Sequence, residues 1–296
     1  MACAEAQSVR AESSAAQAKQ SIAALIESHR FPEAEVLAES SLRQWPADSA
    51  FPHLLGLVMF QTNRLDSAEQ YLQAAQRLAP ANIEILNDLG IVHMALRHYS
   101  AAAEEFQVLA RHQPRDAMTH VLLGRALLNS NRTTDAIREF NQALALDPKV
   151  PFGHYHLGFA LGSLGKIQEA ITELKAELRA QPRSPVVLGQ LGHYLLEAGE
   201  LASAANYLQE AVQAGSSDAY YDLGKARLLE GNSGAAIDAL QHAAIVSPDD
   251  ASVQFQLARA YRNSGHRDQA ERALQRYQQL RDQQQASGGM ASGRRQ

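Results

Sequence analysis

An alanine recurs along almost the whole chain at a nearly constant spacing. The positions are Ala34, Ala68, Ala102, Ala136, Ala170, Ala204, Ala236 and Ala270, which are 34 residues apart except for one step of 32. A fixed period in the thirties is typical of stacked supersecondary units that bury their apolar faces against their neighbours. The sequence therefore predicts an array of repeats rather than a globule with one central core.

Other positions keep the same period and divide each unit into two helices. We number each unit from 1 to 34, so that the alanine is column 20. Columns 4, 7 and 11 then share one helical face, and columns 20, 24 and 27 share another. Column 8 is glycine in six units. Because a glycine inside a helix costs about 1 kcal/mol relative to alanine, we expect the second helix to cross closely at column 8, opposite column 20.

Three further columns predict where the two helices, A and B, begin and end. Column 15 is glycine or asparagine in most units, and these residues tolerate the left-handed conformation that ends a helix. Column 18 provides the predicted N-caps of helix B, which are Asp66, Ser100, Thr134 and Asp268. Proline at column 32 is predicted to terminate helix B, and it is present as Pro46, Pro80, Pro114, Pro148, Pro182 and Pro248.

This pattern resembles the tetratricopeptide repeat family over roughly residues 15–282. The match is fullest in the units that begin at Ile83 and Ala117, where Phe106 and Phe140 fill the aromatic column 24. The units start near residues 15, 49, 83, 117, 151, 185, 217 and 251, and the first is degenerate. The resemblance implies an all-α fold, a right-handed superhelical solenoid of antiparallel helix pairs whose A helices line a concave groove.

The ends and one internal unit depart from the pattern. Residues 1–14 are expected to form a flexible or helical extension, and residues 283–296 a flexible tail. The last helix B is polar on most faces and is predicted to cap the array against solvent. The unit that starts at Pro185 is two residues short and has no closing proline. This shortening is either neutral drift in a loop, or a bend that shapes the groove or a seam between two binding segments.

Composition excludes several classes of function. A net charge of −5 and a pI near 6.1 argue against nucleic acid as the main partner. The chain has no run of 18 apolar residues, so no membrane span is expected. The single cysteine, Cys3, excludes an internal disulfide and a cysteine metal cage. We expect a cytoplasmic protein, or a periplasmic or lipid-anchored one if the true N-terminus is missing.

No arrangement of residues predicts catalysis, a metal or another cofactor. The segment 162–166 is rich in glycine and ends in lysine, but Ile167 stands where a phosphate loop needs a hydroxyl, so it is predicted to be a turn between helices. His154 and His156 lie on opposite sides of a helix. His120 and His154 share column 4, and we interpret them as packing residues because no acidic residue occupies an adjacent matching column.

The resemblance places columns 2, 5 and 9 of helix A on the groove. The predicted partner-binding residues are Arg125, Phe152, Tyr155, Phe159, His193, Tyr221, Lys225, Phe255 and Arg259. Aromatic residues and arginine are enriched in interface hot spots, and exposed apolar patches mark binding surfaces. The alternative interpretation is that column 9 residues such as Phe159 pack between neighbouring A helices.

These residues predict a non-catalytic scaffold that binds a peptide or helical segment of a partner protein in its groove. No three successive units contain the residues of the carboxylate clamp of chaperone-binding relatives, and column 6 forms no asparagine ladder. Two alternatives stay open. The chain is the targeting or substrate-recruiting arm of a larger enzyme or multiprotein assembly, or it assembles with copies of itself into an oligomer.

Overall fold

The computed structural model of the chain describes the backbone of residues 2–292 and the side chains of residues 14–286. Over that part of the chain the protein has sixteen α-helices and no strand. Consecutive helices pack as antiparallel pairs, which confirms the predicted all-α fold of about eight tetratricopeptide-type repeats.

Packing divides the chain into two compact units, Met1–Pro151 and Phe152–Gln296. The helices of the first unit are α1 (Ala2–Glu27), α2 (Phe31–Gln44), α3 (Ala50–Gln61), α4 (Leu65–Leu78), α5 (Ile83–Ala95), α6 (Tyr99–His112), α7 (Ala117–Asn129) and α8 (Thr133–Leu146). The helices of the second unit are α9 (Gly153–Ser163), α10 (Ile167–Ala180), α11 (Pro185–Glu197), α12 (Leu201–Gln213), α13 (Ala219–Leu229), α14 (Ser233–Val246), α15 (Ala251–Asn263) and α16 (Arg267–Ser292). The boundary between the units lies at Pro151, not at the shortened turn after α12.

Helix A ends at column 15, as the sequence predicts. The residue there has a positive φ, between 57° and 83°, in all eight repeats: His29, Asn63, Arg97, Asn131, Gly165, Gly199, Gly231 and Gly265. This left-handed residue reverses the chain after helix A. Helix B ends two residues before each column-32 proline, which confirms the second boundary prediction.

The predicted N-caps of helix B are wrong. Helix B begins at column 17, so the four column-18 residues, Asp66, Ser100, Thr134 and Asp268, already lie inside the first turn. Only one residue, at column 16, separates the left-handed residue from helix B, and this residue takes the cap position. No capping side-chain bond is present at the start of α4, α6 or α8. Side-chain caps occur instead mainly on A helices, where Asp116 accepts a hydrogen bond of 2.9 Å from the Thr119 amide.

The close helix crossing at column 8 is present, but its partner differs from the prediction. A Cβ atom on Gly124 would lie 2.5 Å from Cε1 of Phe140, and one on Gly56 would lie 2.6 Å from Cγ of Leu72. Both neighbours are column-24 side chains and are fully buried. The glycine therefore accommodates the large residue of helix B, rather than only the alanine of column 20.

The two ends of the array are helical in the structure. Helix α1 begins at Ala2, and α16 extends to Ser292, beyond the predicted boundary at residue 282. Within α16, Ala270, Ala273 and Leu280 are buried, while most other described side chains are exposed, as expected of a solvent cap. Residues 293–296 of the predicted tail lie outside the described residues, and its flexibility stays a prediction.

Candidate functional site

The nine predicted partner-binding residues fall in both units. Arg125 lies on α7 of the first unit, where its half-buried side chain forms no ion pair with another described residue. The other eight lie in the second unit, on α9, α11, α13 and α15 or, for Phe152, immediately before α9. Within the second unit these A helices pack side by side, α9 on α11, α11 on α13 and α13 on α15. We define these eight residues as the candidate binding face, which is called the binding face below.

Three phenylalanines of the binding face keep a large part of their rings in contact with solvent. Phe152 and Phe159 are each 40% exposed, and Phe255 is 41% exposed. Phe159 is therefore only partly buried, so a large part of its ring is accessible to a partner, and partial packing between neighbouring A helices stays open as the alternative interpretation. The ring centroids of Phe152 and Tyr155 lie 6.1 Å apart in an edge-to-face arrangement. Solvent-exposed rings of this kind are energetically costly unless another surface covers them.

The two tyrosines of the binding face are half-buried and stay protonated at neutral pH. Burial raises the pKa of the Tyr155 hydroxyl. Burial also raises the pKa of Tyr221, although a hydrogen bond with Gln256 on the next A helix partly opposes this shift. Both side chains therefore present a neutral hydroxyl beside an apolar ring, a combination that suits protein interfaces.

His193 differs from the cation that the sequence suggests. Its Nδ1 lies 2.7 Å from Oδ2 of Asp222, and its Nε2 lies 3.4 Å from Oε1 of Glu197. The hydrogen bond with Asp222 raises the pKa of His193, and burial partly opposes the shift. Both ring nitrogens thus face carboxylates of the protein itself, so the charge of His193 is compensated within the fold.

Lys225 and Arg259 are the other two basic residues of this face. Neither forms an ion pair with another described residue, and Arg259 donates only to the neutral Oε1 of Gln256, at 3.0 Å. The binding face therefore combines exposed aromatic rings with two cations, although the chain as a whole is acidic. Such a face suits a segment that presents apolar and acidic side chains.

A cleft of 470 Å³ lies at the α15 end of this face and includes two residues that the sequence analysis missed. Its lining contains aromatic, basic, acidic and polar side chains, among them Tyr221, Phe255, Tyr277, Arg281, Asp250, Ser252, Gln256 and Gln284. The rings of Phe255 and Tyr277 are 5.5 Å apart. The Arg281 guanidinium lies 5.9 Å from the centre of the Tyr277 ring and donates to its hydroxyl at 3.1 Å. The sequence does contain a signal for Tyr277, because four of the other seven repeats have alanine at this column.

The histidines and the glycine-rich segment considered in the sequence analysis have structural roles. His120 and His154 each pair with a glutamate of helix B in their own repeat, Glu139 at 2.7 Å and Glu173 at 2.6 Å. Sequence analysis missed these carboxylates because they lie at column 23. No cluster of three or more histidine, cysteine or acidic side chains within the described residues has the geometry of a metal site. The glycine-rich segment before Ile167 is the turn between α9 and α10.

None of the helices in the described part of the chain combines the length and the apolar character that a membrane span requires.

Comparison with known proteins identifies the repeat. Two tetratricopeptide repeat models match the chain, one over residues 87–151 and 190–251 and the other over residues 25–86 and 227–292. No curated protein matches it.

Several solved structures share the fold at low sequence identity. A tetratricopeptide repeat protein from Parabacteroides merdae is 15% identical, with a TM-score of 0.66 over 84% of this chain and 99% of that one. A chain of the APC/C hetero-tetramer Cut9–Hcn1 is 18% identical, with a TM-score of 0.62 over 84% of this chain and half of that one. MamA from Desulfovibrio magneticus is 22% identical, with a TM-score of 0.54 over 57% of this chain and 97% of that one. Together with the model matches and the column pattern, these similarities show that the chain belongs to the tetratricopeptide repeat family.

Proposed function

We propose that the protein is a non-catalytic scaffold and that its binding face holds an extended or helical segment of a partner protein. The observation that carries the proposal is the set of three half-exposed phenylalanines beside the unpaired cations Lys225 and Arg259. Burying a phenylalanine ring against a partner lowers the free energy of binding by roughly 25 cal/mol per Å² of apolar area removed from water. Arg125 is proposed as a separate contact on the first unit.

The chemistry of the face defines the partner segment. Phe152, Tyr155 and Phe159 would bind apolar side chains at one end, and Tyr221 with Phe255 would bind them at the cleft. Lys225 and Arg259 would pair with acidic side chains, which also speed association through long-range attraction. The bound segment is therefore acidic and has apolar or aromatic residues spaced along it.

A peptide selection on the full-length chain tests this proposal. Twelve-residue peptides are selected from a random library on the wild-type protein, and the affinity of the tightest one is measured by calorimetry. We expect Phe255→Ser to weaken binding at least about tenfold, because buried aromatic anchors contribute about 2 kcal/mol or more. The double variant Lys225→Glu, Arg259→Glu should weaken it similarly and make the remaining binding less sensitive to salt.

A matched control uses an exposed apolar residue away from the binding face. Ile245 on α14 is 78% exposed, so Ile245→Ser removes a comparable apolar surface from helix B. If Ile245→Ser weakens binding as much as Phe255→Ser, or if neither the phenylalanine nor the cation variants reduce it, the binding face is assigned wrongly.

A second candidate function is that of a subunit in a multiprotein assembly in the cytoplasm. The similarity to a chain of a hetero-tetramer favours this alternative. Light scattering of the purified protein over a hundredfold concentration range tests for self-assembly, and cell fractionation tests the location. A mass that rises with concentration would favour an oligomeric array over a monomeric receptor.

A further inference from the structure

Glu177 is a buried carboxylate in a column that holds no other charged residue. It lies on α10 at column 27 and is 3% exposed. In the seven other repeats the same column holds Ser41, Ala75, Leu109, Ala143, Ala211, Ala243 and Tyr277. A buried carboxylate is costly unless hydrogen bonds compensate for its lost hydration. Helix packing does not need a carboxylate here, so its partners indicate its role.

The partners of Glu177 are two backbone amides at the start of α9. The Phe152 amide donates to Oε1 at 3.2 Å, and the Tyr155 amide donates to Oε2 at 3.1 Å. The Gln181 side-chain amide donates to Oε1 at 2.9 Å. The first amides of a helix have no partner within the helix, and Phe152 has no side-chain oxygen with which to cap them. Glu177 therefore caps α9 from the neighbouring helix, where its negative charge also suits the helix dipole.

Phe152 needs this support because its backbone is left-handed. Its φ is 60°, and the other non-glycine residues with positive φ among those described all lie at column 15. A left-handed conformation at a non-glycine residue costs free energy and persists only where the surroundings enforce it. The Glu177 bonds fix this turn, and the rings of Phe152 and Tyr155 then lie edge to face at 6.1 Å.

We propose that Glu177 is a positioning residue of the binding face. It holds the first turn of α9 so that Phe152 and Tyr155 present their rings together to the partner segment. The part of this proposal that concerns the partner rests on the proposed function, whereas the part that concerns the turn does not.

Amide hydrogen exchange of the full-length Glu177→Ala variant, followed by NMR, tests the turn without any partner. We expect exchange at Phe152 and Tyr155 to accelerate at least about tenfold, while amides in the middle of α9 keep their wild-type rates. Alanine occupies this column in four other repeats, so the variant retains a residue that the fold accommodates. Wild-type exchange at Phe152 and Tyr155, or equal acceleration throughout α9, would overturn the proposal.

Two further variants separate positioning from general stability. Glu173→Ala lies one turn earlier on α10 and removes a bond of 2.6 Å to the His154 side chain, not to a backbone amide. It should leave exchange at Phe152 and Tyr155 unchanged, and a matching acceleration would count against the proposal. Glu177→Gln keeps the shape and only one acceptor oxygen, so it should restore protection at one of the two amides. If Glu177→Ala does not fold, Glu177→Gln decides, and full protection of both amides would overturn the carboxylate's role.

The peptide selected on the wild-type chain tests the consequence for binding. We expect Glu177→Ala to weaken this peptide at least about tenfold and Glu173→Ala to leave its affinity unchanged. Accelerated exchange with unchanged peptide affinity would overturn the role in partner binding. If Phe255→Ser also leaves the peptide bound, the binding face itself fails, and the exchange result alone decides whether Glu177 positions the turn.

Discussion

Two glycines of the same helix should respond in opposite directions to the same substitution. Gly189 and Gly192 both lie inside α11. A Cβ atom on Gly192 would lie 2.5 Å from Cγ and 2.8 Å from Cδ2 of the fully buried Leu208. A Cβ atom on Gly189 would meet nothing nearer than Ser216 Oγ, at 3.7 Å. Helix packing therefore requires glycine at position 192 and not at position 189.

The magnitudes follow from these distances. Replacing a mid-helix glycine by alanine gains about 1 kcal/mol of helix propensity. At Gly189 nothing opposes this gain, so Gly189→Ala should stabilise the protein by roughly 0.5–1 kcal/mol. At Gly192 overpacking costs about 1–3 kcal/mol, and contacts below 3.0 Å to an immobile neighbour favour the upper part of that range. Gly192→Ala should therefore destabilise the protein by about 1–2 kcal/mol net.

Urea unfolding followed by circular dichroism measures both effects. The two variants differ by three positions on one helix, so each is the control for the other. We expect the unfolding midpoint to rise for Gly189→Ala and to fall for Gly192→Ala, with an unchanged slope. Midpoints that move in the same direction, or a neutral Gly192→Ala, would refute the reasoning that column-8 glycines exist to admit the column-24 side chain.

Three further predictions concern the fold. Ala136 is fully buried, so Ala136→Leu should overpack its helix crossing and lower the free energy of unfolding by about 1–3 kcal/mol in a urea titration. Asp116→Ala removes a real cap and should cost about 1 kcal/mol, whereas Asp66→Ala, at a predicted cap that the structure does not use, should cost less in the same assay. The hydrogen bond with Asp222 raises the pKa of His193 above its ordinary value of 6.5. The pair therefore stabilises the folded protein fully below pH 6.5, and this stabilisation is lost as the pH rises through the pKa that His193 has in the folded state. Urea midpoints should therefore fall as pH rises above about 6.5, and by less in His193→Gln.

The sequence predicts the fold because its strongest signals repeat. The left-handed residue at column 15 and the proline at column 32 act locally, and each recurs often enough to be recognised without a structure. The N-caps fail for a related reason. Asp66 is a good cap by residue type, but the turn set by Asn63 puts the cap position two residues earlier, at Arg64, so that the helix starts at Leu65.

The binding face is less predictable because it depends on residues that occur once. The columns place Phe159 and Phe255 correctly on helix A, and the structure adds how far each ring is exposed. The sequence does not reveal that both nitrogens of His193 face carboxylates, since one of them, Asp222, comes from the next repeat. Contacts between repeats depend on helix spacing, which no single column encodes.

Departures from a column are therefore the most informative positions in such an array. In the second unit, column 27 is alanine at Ala211 and Ala243 but not at Glu177 and Tyr277. Glu177 bonds the backbone beneath Phe152, and the ring of Tyr277 lies 5.5 Å from that of Phe255. Glu177 thus contacts the first aromatic residue of the proposed binding face, and Tyr277 contacts the last. Packing alone accepts alanine at this column, so a role for that face accounts for both larger side chains together.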